Sequence, residues 1–165
     1  MKKLNKTNMQ WIARISIVAA LYVALTLVSY PFSYGLTQFR ISEVLMLLVC
    51  LDKRYSIAMV LGCLISNFFS FNLIDCIFGT LATAIACVLM IITRKHIVIA
   101  SLFPALVNGV IIGLELHYIL EFPLLFSMAS VAFGELVVVT GIGLLIYSAI
   151  KSRKEIFNKI AGNEN

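Results

Sequence analysis

Apolar residues run along this chain in long stretches, and the polar positions collect between them. Residues 15–39, 55–74, 76–93, 97–114 and 136–150 contain no Asp, Glu, Lys or Arg. A helix needs about 20 such residues to cross a hydrocarbon core about 30 Å thick. With one shorter apolar stretch, the pattern predicts an all-α membrane protein of six transmembrane helices, with approximate spans 11–30, 38–51, 55–71, 76–93, 97–114 and 125–150. The second span is short for a full crossing, so it has to tilt, begin within the preceding loop or lie beneath a thinned surface. No repeat, low-complexity segment or linker divides the sequence, and residues 1–165 read as a single integral membrane domain.

The basic residues orient that bundle. Alternating spans place Lys2, Lys3, Lys6, Arg14, Lys53, Arg54, Arg94, Lys95, Lys151, Arg153, Lys154 and Lys159 on one side and leave only Arg40 on the other. Positive residues mark the cytoplasmic loops of membrane proteins, so both termini are expected inside. The same topology accounts for the formal charge of +5, and no nucleic-acid partner is needed to explain it. Trp11 falls where indoles anchor at the inner interface. The basic start runs into a full-length apolar span with no small-residue cleavage site, so the first helix is expected to be retained. Cys50, Cys63, Cys76 and Cys87 follow no metal-ligand spacing and read as small buried hydrophobes, with Cys76 nearest the outer solution.

The complement of that charge pattern carries the candidate chemistry. Glu43, Asp75, Glu115, Glu121 and Glu135, with His117, gather in the outer half, where an ionisable group must be paired or used. Glu135 lies about ten residues into its span, roughly 15 Å below the outer end at 1.5 Å per residue. Arg40 and Glu43 are three apart and can pair on one helical face if the second helix has begun by Arg40. Asn67, Asp75, Asn108, Glu115 and His117 come from the upper ends of three different spans, and amides and carboxylates meeting at one depth can read a polar planar molecule. Tyr34, with Tyr30, Phe32, Phe39 and Tyr118, offers faces for a flat ring. On the first span, Ala13, Ser16, Ala20 and Ala24 form a stripe of small residues that lets another helix approach closely, inside the molecule or outside it.

Absences narrow the field further. The sequence has no phosphate-binding loop, no HExxH or GxSxG, and no metal or cofactor motif. The two histidines are expected on opposite sides of the membrane, so an enzyme has little to stand on. A membrane protein that binds a polar planar molecule, and a membrane assembly protein that uses the small-residue stripe without a ligand, both remain compatible with these residues.

The strings YGLTQFRISEVL (34–45), LGCLISN (61–67), IDCIFGTLAT (74–83), PALVNGVIIGLELHY (104–118) and FGELVV (133–138) carry a more specific signal. On them the chain resembles the QueT family, substrate-binding S components of energy-coupling factor (ECF) transporters. The resemblance covers nearly the whole chain, with an S component for another vitamin or nucleobase as the alternative within it. It implies a six-helix subunit in a bacterial plasma membrane that captures queuosine precursors, 7-deazaguanine bases, at its extracellular face. It also implies a separate transmembrane coupling protein and two cytoplasmic ATPases as partners, with the Ala20 and Ala24 face as the docking surface. Such a base presents a fork of N–H donors that Glu135, Glu43 or Glu115 can accept, and a carbonyl that Asn67 or Asn108 can meet. An aminomethyl substituent would bring an ammonium for which Asp75 or another acid is a partner.

Overall fold

The computed structural model describes residues 6–34, 39–70 and 72–162. Lys2, Lys3, the expected start of the second span at residue 38 and the expected end of the third at residue 71 lie outside the described residues. Within them every regular element is helical: α1 (Lys6–Val28), a single turn α2 (Tyr30–Ser33), a 3₁₀ segment (Ile41–Leu47) that continues as α3 (Leu48–Leu51), α4 (Tyr55–Asn67), α5 (Asp75–Thr93), α6 (Ile97–Leu120), α7 (Leu124–Glu135), a π segment (Leu136–Gly143), α8 (Leu144–Ser152) and α9 (Lys154–Ala161).

Four of these are long and apolar enough to cross a membrane: Asn8–Val28, Asp75–Thr93, Ile97–Leu120, and the continuous rod Leu124–Ser152 made of α7, the π segment and α8. Each turns bulky apolar side chains outward, among them Ile17, Ile77, Leu106 and Leu145. Exposed apolar surface on this scale marks a membrane or protein contact face. The other two apolar helical stretches, Ile41–Leu51 and Tyr55–Asn67, are shorter.

The packing explains the shortest one. α1 packs on α4, α4 on α5, α5 on α6 and α6 on α7, while the 3₁₀ segment contacts α1, α4, α6 and the π segment. Ile41–Leu51 is therefore an interior element: Ser42, Glu43, Met46, Leu47 and Val49 are all buried. At about 2 Å per residue in its 3₁₀ part and 1.5 Å in its α part it rises only about 20 Å. Arg40 is extended and precedes the helix. The expected helical face shared by Arg40 and Glu43 therefore does not form.

Close helix approach is set by small residues. A Cβ at Gly113 would stand 2.7 Å from Met128 Cα, and one at Gly109 would stand 2.9 Å from Ala132 Cβ, so α6 and α7 cross nearly backbone to backbone. Inside α6, Pro104 removes the N–H that would reach the Ala100 carbonyl. One residue on, Thr140 of the π segment donates its hydroxyl to the Ser101 carbonyl at 3.0 Å. α6 ends at Glu121, which takes left-handed backbone (φ 58°).

The opposite end of the bundle is a basic, aromatic knot. Trp11 is buried against Tyr55, with ring centroids 5.6 Å apart, and the Arg54 guanidinium lies 3.5 Å from the indole centre. The indole is thus packed within the protein between cations, rather than presented to lipid as a simple interface anchor. Arg54 also pairs with Asp52 at 2.8 Å. The C-terminal segment forms α9, and Tyr55 donates its hydroxyl to the Ile160 carbonyl at 2.8 Å.

Candidate functional site

The end of the bundle away from that knot holds an unusual concentration of buried polar side chains. Four come from one face of α1 and its extension: Tyr22, Thr26, Ser29 and Ser33. Helical spacing of four, three and four turns them toward the 3₁₀ segment. Thr26 shares a 2.7 Å hydrogen bond with Ser42, and Ser29 a 2.8 Å one with Ser33. Tyr22 donates its hydroxyl to Glu43 Oε1. Glu43 is 1% exposed, and its second oxygen has no protein partner.

Arg40 occupies the centre. It is 7% exposed, its guanidinium lies 5.4 Å from the centre of the Tyr34 ring, and Nη1 is 3.6 Å from Cys63 Sγ. It stands within electrostatic reach of Glu43, Glu115 and Glu135. The direct ion pair expected between Arg40 and Glu43 is replaced: the carboxylate takes the Tyr22 phenol, and the guanidinium takes an aromatic face and a sulfur. Cys63, read from sequence as a buried hydrophobe, also receives Thr83 Oγ1 at 3.2 Å and Asn67 Nδ2 at 3.4 Å. It is buried and at the same time a soft acceptor hub.

Asn67 is fully buried, and the same amide nitrogen donates to the Asp75 carbonyl at 2.9 Å. Gly79 makes room for it, since a Cβ there would stand 2.5 Å from Asn67 Nδ2. Across the bundle Asn108 donates to Glu135 Oε1 at 2.6 Å, linking α6 to the end of α7. Glu135 is 5% exposed and lies within electrostatic reach of Glu43. The deep acid expected at residue 135 thus meets both the amide and the second acid that the sequence singled out.

A cleft of about 190 Å³ lies at the start of α5 and the end of α6, lined by Tyr34, Asn72, Asp75, Glu115, Leu116, Ile119 and Leu120, and none of Arg40, Glu43, Asn67, Asn108 or Glu135 lines it. Tyr34 forms its inner wall and donates its hydroxyl to the Ser66 carbonyl at 2.5 Å. Burial pushes that phenol up to about 12, against the pull of the Arg40 cation, so the hydroxyl stays a donor at neutral pH. Tyr30 packs on Tyr34 at 4.9 Å between ring centres. His117 is not brought to the cleft: its Nδ1 is 2.7 Å from the Phe122 carbonyl, within the turn between α6 and α7. Phe39 packs on Phe133, while Phe32 and Tyr118 point outward.

The chemical character of the set is one-sided. Among the described residues, the buried side-chain atoms left without a protein donor are Glu43 Oε2, Ser66 Oγ, Asn67 Oδ1, Thr80 Oγ1, Asn108 Oδ1, both carboxyl oxygens of Glu115 and Glu135 Oε2, the Glu115 carboxyl lying against that of Asp75. Each such atom costs about 1–3 kcal/mol if nothing meets it. The carboxyl and amide oxygens among them accept hydrogen bonds, while the Ser66 and Thr80 hydroxyls can also donate, so the set is complementary to a molecule that offers N–H donors. The described residues contain no group of three or more His, Cys, Asp or Glu suited to a metal ion.

A second feature lies on the outside of α1. Ala13, Ser16, Ala20 and Ala24 are all exposed. Ser16, Ala20 and Ala24 floor an apolar groove of about 620 Å³ whose far wall is Leu61 and Ile65 of α4. The small-residue stripe is therefore not used for packing within the described molecule.

Comparison with known proteins places these features in a family. A family model described as QueT transporter matches residues 12–152. The chain is similar to the queuosine precursor transporter QueT of Lactococcus lactis subsp. cremoris (strain MG1363), with 34% identity over 148 residues that cover 80% of this chain and 87% of the relative. No solved structure matches.

Proposed function

We propose, from the premise that this chain belongs to the QueT transporter family, that it is the substrate-capture S component of an ATP-driven ECF importer. It takes a queuosine precursor, a 7-deazaguanine base, from the extracellular side of a bacterial plasma membrane. In this reading all six apolar helical stretches cross the bilayer, the interior Ile41–Leu51 element included. The basic knot of Trp11, Arg54 and α9 faces the cytoplasm, as do both termini.

The observation that supports the reading is the set of buried acceptor oxygens on several helices, Glu43, Asn67, Asn108 and Glu135 among them. A 7-deazaguanine offers a ring N–H, an exocyclic NH₂ and a pyrrole N–H, matching an acceptor-rich site. Glu135 and Glu43 take the fork of donors, Asn67 and Asn108 complete the ring edge, Arg40 meets the ring carbonyl, and Tyr34 covers the ring face. The site binds and orients, and no bond is made or broken there.

Thermal denaturation of the purified protein tests this directly. At a base concentration of 100 Kd, binding stabilises by about 2.7 kcal/mol, which for a chain of this size raises the melting temperature by roughly 5–10 °C. Adenine should produce no comparable shift. Failure of every 7-deazaguanine to stabilise the protein would overturn the reading.

ATP hydrolysis must come from partner chains, and the groove on α1 is the surface we assign to the transmembrane coupling protein, with two cytoplasmic ATPases beyond it. Its floor of Ser16, Ala20 and Ala24 admits a helix backbone, and its apolar walls suit a partner within the bilayer. Ala20→Leu or Ala24→Leu fills that floor. Uptake into cells is expected to be lost while base binding by the isolated subunit is retained, and uptake persisting with both replaced would move the docking face elsewhere.

A further inference from the structure

Tyr22 is fully buried within α1, where a phenol must find a partner for its hydroxyl. α4 closes on its ring from one side: a Cβ at Gly62 would stand 2.8 Å from Tyr22 Cβ and 2.9 Å from Cγ. The hydroxyl reaches the 3₁₀ segment and donates to Glu43 Oε1. One turn further along α1, Thr26 donates to the Tyr22 carbonyl at 2.9 Å and shares its 2.7 Å hydrogen bond with Ser42, the neighbour of Glu43. Two consecutive residues of the 3₁₀ segment are thus tied to one turn of α1. The second carboxyl oxygen stays open: Glu43 is buried, and Oε2 has no protein partner. Arg40 is within electrostatic reach of this acid, yet its guanidinium goes to the Tyr34 ring and to Cys63. A direct ion pair between the two would occupy the acid and leave it little to offer a ligand.

We propose that Tyr22 is a positioning residue of the binding site: its phenol holds Glu43 by Oε1, away from Arg40, so that Oε2 stays free to accept an N–H of the bound base. The inference rests on the importer reading above and adds to it the residue that aims one of its acids. A phenol suits the task. Its ring fills the apolar space between α1 and α4, and its O–H donates to a carboxylate without bringing a charge that would compete with the base.

The test is a double-mutant cycle on equilibrium binding to the full chain in detergent, using whichever of 7-cyano-7-deazaguanine and 7-aminomethyl-7-deazaguanine binds the wild type more tightly. Tyr22→Phe keeps the ring beside Gly62 and removes only the hydroxyl, and it is expected to weaken binding about tenfold. In a Glu43→Gln background the same substitution should change affinity by less than about twofold. An amide has a donor edge and an acceptor edge, so there the phenol no longer dictates which atom meets the base. Gly62→Ala, which crowds the ring and leaves the hydroxyl in place, should show the same dependence on Glu43. A general loss of stability would lower affinity alike in both backgrounds, so the comparison separates the aiming of the acid from packing. Binding unchanged in Tyr22→Phe, or weakened equally in both backgrounds, overturns this inference and leaves the importer reading in place. Binding of neither base by the wild type overturns both.

Discussion

Glu135→Gln is expected to weaken binding of a 7-deazaguanine base by more than tenfold, about 1.4 kcal/mol or more, while the protein still folds and inserts. The side chain is nearly isosteric, and a glutamine carbonyl can still accept from Asn108, which donates to Glu135 Oε1 at 2.6 Å. The loss comes from the other atom. Oε2 has no protein partner, and in the proposed complex it accepts an N–H of the base. Glutamine places an NH₂ there, so donor faces donor. A buried polar group set against the wrong partner forfeits the hydrogen bond and its desolvation together. Calorimetric titration of wild type and variant measures the difference directly. Unchanged affinity would remove Glu135 from the site and leave it as a tie between α6 and α7.

Gly113→Leu is expected to cost more, because it attacks the crossing that brings those two helices together. A Cβ alone would stand 2.5 Å from Met128 Cγ and 2.7 Å from Met128 Cα. The methionine side chain can turn aside, but the α-carbon can move only with its helix. Overpacking of this kind costs about 1–3 kcal/mol where neighbours can shift, and here the shift also draws α7 away from Asn108. The variant should give little monodisperse protein, and what survives should melt well below wild type and bind base weakly. Gly113→Ala should show the same effects in reduced form. A melting temperature unchanged in the alanine variant would mean that the α6–α7 approach is looser than its geometry indicates.

Much of this arrangement was legible in the chain because the information is local. Runs without charge predicted the long helices within a few residues, although α6 continues to Leu120 rather than ending near residue 114. Glu135 stood out because an acid inside an apolar run needs a partner wherever it lies. What sequence could not supply was the pairing between distant segments. That Asn108 reaches Glu135 and that Tyr22 reaches Glu43 depends on which helix faces meet, and hydrophobicity along one helix does not encode its neighbour. Tyr22 on its own reads as one more bulky residue of an apolar helix. A usable signal was present in Tyr22, Thr26, Ser29 and Ser33, which fall on a single polar face of α1 away from the alanine stripe. Cys63 gave no such signal, since a thiol among apolar residues reads as packing until its donors are seen. Arg40 and Glu43 were expected to pair because three-residue spacing suits a continuous helix, and the 3₁₀ start with Arg40 outside it removes that premise.

The two carboxylates at the heart of the site are carried by backbones of opposite character. Glu43 sits on the tightly wound 3₁₀ segment, and Glu135 immediately precedes the loosely wound π segment against which it packs. A single residue added to or removed from either stretch would turn the chain on one side of the change by about 100° relative to the other. A change in the length of Ile41–Leu47 or Leu136–Gly143 would therefore swing an acid out of register with its opposite number. Residue count in these two stretches is thus a constraint on this subunit in addition to the residues that fill them.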